Sequence, residues 1–290
     1  MVEDTGSVIG KGFDTWKNNL TICLPFVFSA VLTHIVAIII IGATILAIIP
    51  SLLSYITKSA EPSPELILQL LPQIIQSMGI IIIAIIVTII LCMLINAFFW
   101  AGAIGMAKEA TETGRTDISY MMVYGKRKFI SLFFTDIILG LISFVGIIFL
   151  VPGILYTLPK LMGLSELPPE EVFTAFAIFG LGFLAMSLYI LIISIIFALP
   201  RYSVVIGDLG AIGGIKTGFK MFMRNKVAVF LLWLIVFVAN MISMSFGFIE
   251  YIGWVISAIL SIIIISPLTV IWWSRLYLSM TEPTEPTEEL

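Results

Sequence analysis

Four polar side chains stand inside long apolar stretches, at the positions His34, Asn96, Asp136 and Asn240. Imidazole and carboxylate groups carry protons, and amides bind polar ligands, so these four residues are candidates for a shared intramembrane polar site. A second interpretation is structural, because polar side chains inside a membrane also hydrogen-bond neighbouring helices and hold them together. The sequence leaves both interpretations open.

Asp136 is the residue of the four that costs the most free energy to place in a bilayer, because it is a carboxylate within an otherwise apolar span. A rise of 1.5 Å per residue from Lys128 places it about 12 Å along that span. A charge at such a depth often indicates transport or proton transfer. Two other roles compete: a position facing a water-filled vestibule, and an ion pair with a basic residue such as Arg201.

Enzymatic and metal chemistry find little support in the residue types. The chain has one histidine and two cysteines, Cys23 and Cys92, which are too few for a His/Cys metal site. It contains no H-E-x-x-H or G-x-S-x-G motif and no cluster of carboxylates suited to metal-assisted phosphoryl chemistry. We therefore expect no enzyme activity, no catalytic residue, no bound metal and no cofactor.

The composition places these residues in a membrane protein. Hydrophobic residues make up 60% and charged residues 11% of the chain, whereas soluble proteins average about 45–50% and about 25%. Charge-free runs of about 20 residues or more predict an all-α bundle of six spanning helices, near residues 20–49, 78–107, 129–151, 172–199, 227–246 and 254–273. These spans form a single domain, 1–280, followed by a disordered acidic tail, 281–290.

Positive charges are segregated by side. With the spans placed in this way, every Lys and Arg except Lys58 and Lys160 falls in a loop or terminus on one side of the membrane. An excess of Lys and Arg marks the cytoplasmic side. The pattern predicts a multi-pass protein of the cell membrane with both termini in the cytoplasm.

Two similar segments precede the first and fifth spans: VIGKGFDTWKNN at 8–19 and GGIKTGFKMFMRNK at 213–226. They align without gaps, with Gly12 opposite Gly218 and Asn19 opposite Asn225. Each carries a basic face and an apolar aromatic face, which is typical of a helix lying in the membrane interface. A fainter copy, TDISYMMVYGKRKF at 116–129, precedes the third span. The pattern predicts a three-unit pseudo-repeat; the alternative is that aromatic-plus-basic boundaries simply accompany positive-inside loops.

The basic faces of these segments are candidate contacts for anionic lipid headgroups, because each Lys or Arg near such a surface contributes roughly 1 kcal/mol. The candidates are Lys17, Lys126, Arg127, Lys128, Lys216, Lys220 and Arg224. We expect membrane lipids as partners, with other membrane proteins as a second class. Nucleic acid is not expected, because no soluble basic domain is present to bind it.

Three boundary segments carry a family resemblance: GKGFDTWKNNLTICLPF, GAIGMAKEA with YGKRKF, and LPRYSVVIGDLGAIGGIKTGFKMFMRNK. They resemble a group of prokaryotic, mainly archaeal, six-helix membrane proteins of uncharacterised activity. That group is similar to the membrane domain fused to some glycerophosphodiester phosphodiesterases. The resemblance implies a six-helix fold in a membrane, and it carries over no catalytic residue.

Two functional hypotheses follow. The first is a non-enzymatic membrane module that packs with partners or with anionic lipids through its basic interfacial helices. The second is a small-molecule or ion transporter or channel that uses the intramembrane polar residues. A centre in which the polar groups are satisfied by neighbours favours the module, whereas a continuous vestibule reaching Asp136 favours transport.

Overall fold

The computed structural model describes residues 2–56, 64–162 and 168–281, and no strand occurs within these ranges. Tight helical turns at Leu20–Cys23, Val145–Leu150 and Phe246–Phe248 and a wide turn at Ser261–Ile265 join some of the helices. The helices are α1 Thr5–Asn18, α2 Leu24–Ile56, α3 Pro64–Thr113, α4 Ile118–Phe144, α5 Val151–Met162, α6 Pro169–Ile196, α7 Pro200–Val205, α8 Ala211–Arg224, α9 Lys226–Ser245, α10 Gly253–Leu260 and α11 Ser266–Thr281.

Within the described ranges, six helical stretches are long and apolar enough to cross a membrane, which confirms the predicted all-α bundle. Their outward faces carry exposed isoleucine, leucine and phenylalanine side chains, as a lipid-facing surface requires. The six stretches are Leu20–Ile48, Ser77–Thr113, Ile118–Leu158, Glu170–Val205, Lys226–Phe248 and Gly253–Thr281. Of the predicted tail, only Thr281 belongs to the described residues, where it ends α11.

Hydrogen bonds and ion pairs gather the N-terminal segment, α11 and two inter-span loops at one end of the bundle. Glu3 accepts hydrogen bonds from Arg275 at 2.8 and 3.1 Å, which joins the N-terminus to α11. Asn19 donates to the Gly114 carbonyl at 3.1 Å and accepts from the Thr116 amide at 2.9 Å. We call this the basic end of the bundle, because it also carries the lysines and arginines of these segments.

Burial raises the pKa of the Glu3 carboxyl, but the hydrogen bonds from Arg275, Lys11 and Ser7 outweigh it and hold the pKa below its ordinary value of 4.5. The carboxylate is therefore the favoured form at neutral pH, and it connects two basic side chains at the point where α1 meets α11.

The helices α1, α4 and α8 share one packing register. In each of them the fourth and the eighth residues are buried, and the eighth is a glycine. The buried pairs are Val8 and Gly12 in α1, Met121 and Gly125 in α4, and Gly214 and Gly218 in α8. The alignment made from the sequence therefore corresponds to a common structural register, and the fainter third copy shares it.

Each of these glycines lies against the spanning segment that precedes its own helix in the chain. For α1, which comes first in the chain, the neighbour is the last spanning segment. The contacts that an added Cβ atom would meet are Trp272 of α11 at Gly12, Phe98 of α3 at Gly125 and Pro200 of α7 at Gly218. Unit one is α1–α3, unit two is α4–α7 and unit three is α8–α11, so α1 of unit one closes the ring by packing on unit three. This arrangement is what a pseudo-threefold repeat predicts.

The third copy is not a separate interfacial helix. Asn19 and Asn225 end α1 and α8 with nearly the same backbone angles, φ −136° and ψ 55° against φ −129° and ψ 42°. By the same register their counterpart is Leu132, a buried residue in the middle of the continuous helix α4. An apolar residue at this position continues the helix, so α4 begins at Ile118 and runs on through residue 129, where the third span was predicted to begin.

We predict that Gly218→Ala destabilises the protein while Gly213→Ala in the same helix does not. A Cβ atom at Gly218 would lie 2.6 Å from the Pro200 nitrogen, whereas one at Gly213 meets only the Leu209 Cβ at 3.7 Å. Overpacking of this kind costs about 1–3 kcal/mol. The thermal unfolding midpoint of each variant in nanodiscs, followed by circular dichroism, measures the difference.

Gly213→Ala is the matched control, and its midpoint should equal or exceed that of the wild type, because alanine favours a helix over glycine by about 1 kcal/mol. Equal midpoints for the two alanine variants would mean that the close approach of α8 to α7 does not contribute to stability.

Candidate functional site

Asn96 joins two spanning helices. Its side-chain oxygen accepts a hydrogen bond of 2.7 Å from the Ser29 hydroxyl on α2, and its amide donates to the Cys92 carbonyl at 2.9 Å. Both ends of the side chain are therefore satisfied by protein groups. This geometry agrees with the interhelical role that the sequence left open.

His34 and Asn240 bond within their own helices. Nδ1 of His34 lies 2.6 Å from the Ala30 carbonyl oxygen, and the Asn240 amide donates to the Val236 carbonyl at 2.7 Å. Across the described parts of the chain, no hydrogen bond or ion pair joins any two of His34, Asn96, Asp136 and Asn240. The structure therefore distributes these four residues among separate partners.

Asp136 forms an ion pair with Arg201. The Nε atom of Arg201 donates to Oδ1 of Asp136 at 2.8 Å, and the Asp136 and Arg201 side chains are 17% and 40% exposed. The pair joins α4 to α7, in agreement with the ion-pair alternative. Arg201 also lies over the Trp100 ring, 5.1 Å from its centroid. The guanidinium is thus fixed by a carboxylate on one edge and an aromatic face below.

The chain path explains how Arg201 reaches this position. The helix α6 ends at Ile196, and α7 begins at Pro200 after a turn of three residues. Proline has no amide hydrogen, so it is best tolerated at the first position of a helix. The new helix packs against α4 and α8, which places Arg201 beside Asp136 instead of continuing the line of α6.

A crevice runs from Arg201 along the boundary of α6 and α9. A cavity of about 270 Å³ is lined by Arg201 and Trp100, and a second, of about 660 Å³, reaches Asn240. Ser194 and Trp233 line both cavities, so the two are adjacent. We call this space the α6–α9 crevice. It has a polar aromatic end at Arg201 and an apolar arm between the two helices.

The polar end of the crevice contains an unsatisfied hydroxyl. The Oγ1 atom of Thr269, which lines the cavity, is buried and has no hydrogen-bond partner in the described structure. Threonines elsewhere in the spans donate to the carbonyl four residues earlier, as Thr44 and Thr88 do at 2.7 Å. The Thr269 hydroxyl therefore remains without a partner among the described residues, as the hydroxyls of Thr116 and Ser274 do away from the crevice.

The basic residues of α8 project outwards. Lys216, Lys220 and Arg224 are exposed, while the opposite face of the helix packs through Gly214 and Gly218. Outside α8, Lys17 and Lys126 are also exposed. These five candidates for lipid contact are therefore accessible at the protein surface.

Arg127 and Lys128 differ from the other candidates. Lys128 is only 7% exposed, and its ammonium lies 2.6 Å from Asp208 and 3.4 Å from the Leu209 carbonyl. Arg127 is exposed but lies 3.4 Å from Asp208 and stacks over the Tyr124 ring. The expectation that Lys128 presents its charge to lipid is therefore not met, because this side chain ties α4 to the loop before α8.

The carboxyl of Asp208 holds this loop in place. The hydrogen bond and the charge of Lys128 keep its pKa below the ordinary value of 3.8, and Arg127 adds to the effect. Asp208 adopts a left-handed conformation with φ 56°, which Asp tolerates better than most residues. The segment GDLGAIGG does not by itself reveal this pairing, because no local pattern links Asp208 to Lys128.

Sequence reasoning missed most of the crevice. The hydroxyl and aromatic groups that line it are common in membrane helices, so their residue types alone do not single them out. The missed residues are Trp100, Ser194, Trp233, Thr269 and Trp273. The available signal was the grouping of three tryptophans near span ends, where aromatic residues mark the bilayer interface.

We predict that Asp136→Asn lowers the stability of the protein. The change removes the charge that Arg201 faces and leaves the guanidinium without its ionic partner. Removing one partner from a fully buried pair costs about 3–5 kcal/mol. The exposure of Arg201 reduces this to about 1–2 kcal/mol through solvent screening.

A double-mutant cycle with Asp136→Asn and Arg201→Gln, measured by thermal unfolding in nanodiscs, isolates the interaction. The double variant should lose less stability than the sum of the two single losses. Strictly additive losses would show that the two side chains do not interact energetically.

Comparison with known proteins shows the family of the chain. A protein of Archaeoglobus fulgidus described as uncharacterised is 24% identical over 288 residues, covering 96% of each chain. No solved structure matches. Nothing in these comparisons links the chain to glycerophosphodiester phosphodiesterases, so they support only the archaeal part of the resemblance. Residues 64–272, most of the bundle, match the model of a domain of unknown function, and the chain therefore belongs to the DUF7847 family.

Proposed function

We propose that this protein is a non-enzymatic, multi-pass membrane module that binds anionic lipid headgroups through the helices at its basic end. The observation that carries the proposal is the two-sided character of α8. One face packs on the protein through glycines, and the other presents Lys216, Lys220 and Arg224. A helix fixed in this way lies where a headgroup layer would meet the bundle.

Exposed apolar residues accompany these charges. Ile212 and Phe219 of α8 are 63% and 41% exposed, and Met223 follows one turn after Phe219 at 46%. In water such a surface would be unfavourable, whereas at a membrane interface the apolar side chains enter the acyl boundary and the basic ones meet headgroups. The pattern of α8 supports lipid contact better than it supports a solvent-facing role.

The corresponding surface of α1 is less basic. Lys11 forms an ion pair with Glu3 at 2.9 Å, so part of its charge is compensated within the protein. Trp16 donates its indole hydrogen to the Ile263 carbonyl, which anchors α1 to the bundle. Lys17 remains exposed near the end of the helix. We therefore assign the main headgroup contact to α8, with Lys17 and Lys126 as additional contacts.

The transporter hypothesis receives less support from the polar residues. Asn96 is bonded to Ser29 and Asp136 to Arg201, so both have partners within the protein. Polar residues whose hydrogen bonds are satisfied within the protein fit the helix-packing interpretation. We therefore favour the membrane module over the transporter as the function of this protein.

We also propose that the basic end faces the cytoplasm, because loops rich in Lys and Arg are retained there. The test places single cysteines at Lys126 and Lys160 in a Cys23→Ser, Cys92→Ser background. A membrane-impermeant maleimide applied to intact cells should label the cysteine at position 160 and should reach position 126 only after permeabilisation. The reverse pattern would invert the orientation and move the proposed headgroup contacts to the outer leaflet.

Lipid selectivity tests the headgroup contact. We expect the protein in nanodiscs of mixed phosphatidylglycerol and phosphatidylcholine to retain phosphatidylglycerol preferentially when it is released into detergent and weighed by native mass spectrometry. The triple variant Lys216→Gln, Lys220→Gln, Arg224→Gln removes three charges worth roughly 1 kcal/mol each near the surface. Its preference should fall by at least about fivefold after allowance for screening.

The variant Lys216→Arg, Lys220→Arg keeps the charges and serves as the matched control, with a preference like that of the wild type. An unchanged preference in the neutral triple variant would reject α8 as the headgroup surface.

A further inference from the structure

We propose that the α6–α9 crevice binds one membrane phospholipid, with its phosphate at Arg201 and one acyl chain in the apolar arm. The inference goes beyond the proposed function, because it concerns a site between the spans and uses none of the exposed basic residues of α8. Its ligand is recognised by the phosphate group that phospholipids share, whatever the net charge of the headgroup.

Arg201 supplies the recognition element for the phosphate. Its Nε atom is engaged by Asp136, while the two terminal nitrogens of the guanidinium have no acceptor among the described residues. Those nitrogens form the planar fork that binds two phosphate oxygens at once. The Trp100 ring below and the Asp136 carboxylate beside it hold the fork in one orientation. The arginine is therefore fixed in place before a ligand arrives.

Two further groups suit the polar part of a lipid. Trp233 and Trp273 line the same space, and tryptophan is favoured where headgroups meet acyl chains. The indole hydrogen of Trp233 is already donated to Ser194 at 3.1 Å, so this ring contributes its face and fixed position.

The apolar arm has the length of one acyl chain. Its lining on α6 extends from Ser194 back to Phe183, which at 1.5 Å per residue is about 16 Å. Half of a hydrocarbon core about 30 Å thick is close to this value. Apolar residues such as Met186 and Phe237 form the walls, and Asn240 bonds its own helix at 2.7 Å. A chain entering at Trp233 would reach the middle of the bilayer.

A phospholipid fits both ends of the crevice better than the other occupants do. Free phosphate would use Arg201 and leave the apolar arm empty, and a partner helix would fill the arm without using Arg201. Asp136 compensates the charge of Arg201, so the site has no need for a net negative headgroup. Phosphatidylcholine should therefore bind here, although the α8 surface should discriminate against it.

The test counts the lipid retained after reconstitution into phosphatidylcholine nanodiscs and release into detergent, by native mass spectrometry. We expect the wild type to retain one phosphatidylcholine molecule. Ser187→Trp places an indole inside the apolar arm and should reduce retention at least tenfold. Leu188→Trp, on the lipid-facing side of the same helix, is the matched control and should behave like the wild type.

Phosphate recognition is tested separately. Arg201→Gln should reduce retention of phosphatidylcholine at least tenfold, and the wild type should retain diacylglycerol, which lacks phosphate, at least tenfold less than phosphatidylcholine. The diacylglycerol comparison decides the point even if Arg201→Gln does not fold. Adding inorganic phosphate should not displace the lipid, since phosphate does not fill the arm; displacement would point to a free anion site.

Undiminished retention in Ser187→Trp would overturn the proposal, as would equal retention of diacylglycerol and phosphatidylcholine. The variant Lys216→Gln, Lys220→Gln, Arg224→Gln should keep the single phosphatidylcholine. Its loss there would show that retention arises at the α8 surface, so failure of this site and failure of the proposed function remain distinguishable.

Discussion

The close approach of three glycine-bearing helices to their neighbouring spans is the contact on which the rest of the bundle depends. Lipid is as apolar as the helices it surrounds, so helices in a membrane associate by van der Waals packing and polar bonds rather than by a hydrophobic effect. At Gly12, Gly125 and Gly218 the missing Cβ atom lets one helix lie directly against the next. These three contacts close the ring and bring the N-terminal segment, α11 and the connecting loops to the basic end.

The ring repeats in its packing, but its chemistry differs between units. The residues that face the three glycines are Phe98, Pro200 and Trp272, and the residues that follow them are Phe99, Arg201 and Trp273. A cation therefore occurs at this position only in unit two. It comes with its own counter-ion, Asp136, and with a helix break at Pro200 that turns the chain away from the line of α6. Of the three glycine contacts between units, the one at Gly218 is therefore the one that lies beside a charged pair.

Structural features that depend on residues close together in the sequence could be predicted, whereas those that depend on contacts between distant residues mostly could not. The six spans follow from composition, and the register of Gly12 and Gly218 follows from direct alignment. The third copy was faint because Leu132 continues α4 where Asn19 and Asn225 end their helices. The Asp136–Arg201 pair was among the alternatives because Asp136 is a charge within a span and Arg201 is a basic residue just beyond the end of another. The crevice was not foreseen, because it depends on the separation of α6 from α9. The burial of Lys128 was missed because no local pattern reveals its pairing with Asp208.

Unsatisfied polar capacity separates a ligand site from simple helix packing. Asn96 uses both ends of its side chain, on the Ser29 hydroxyl and the Cys92 carbonyl, and this is what a polar residue that only holds helices together should do. At the α6–α9 crevice the balance differs, because Arg201 donates through Nε to Asp136 and its two terminal nitrogens have no acceptor among the described residues. A buried polar group left unpaired is costly in a membrane, where water is absent. The proposed phospholipid would lower this cost at Arg201, because its phosphate supplies the oxygen atoms that the two terminal nitrogens lack.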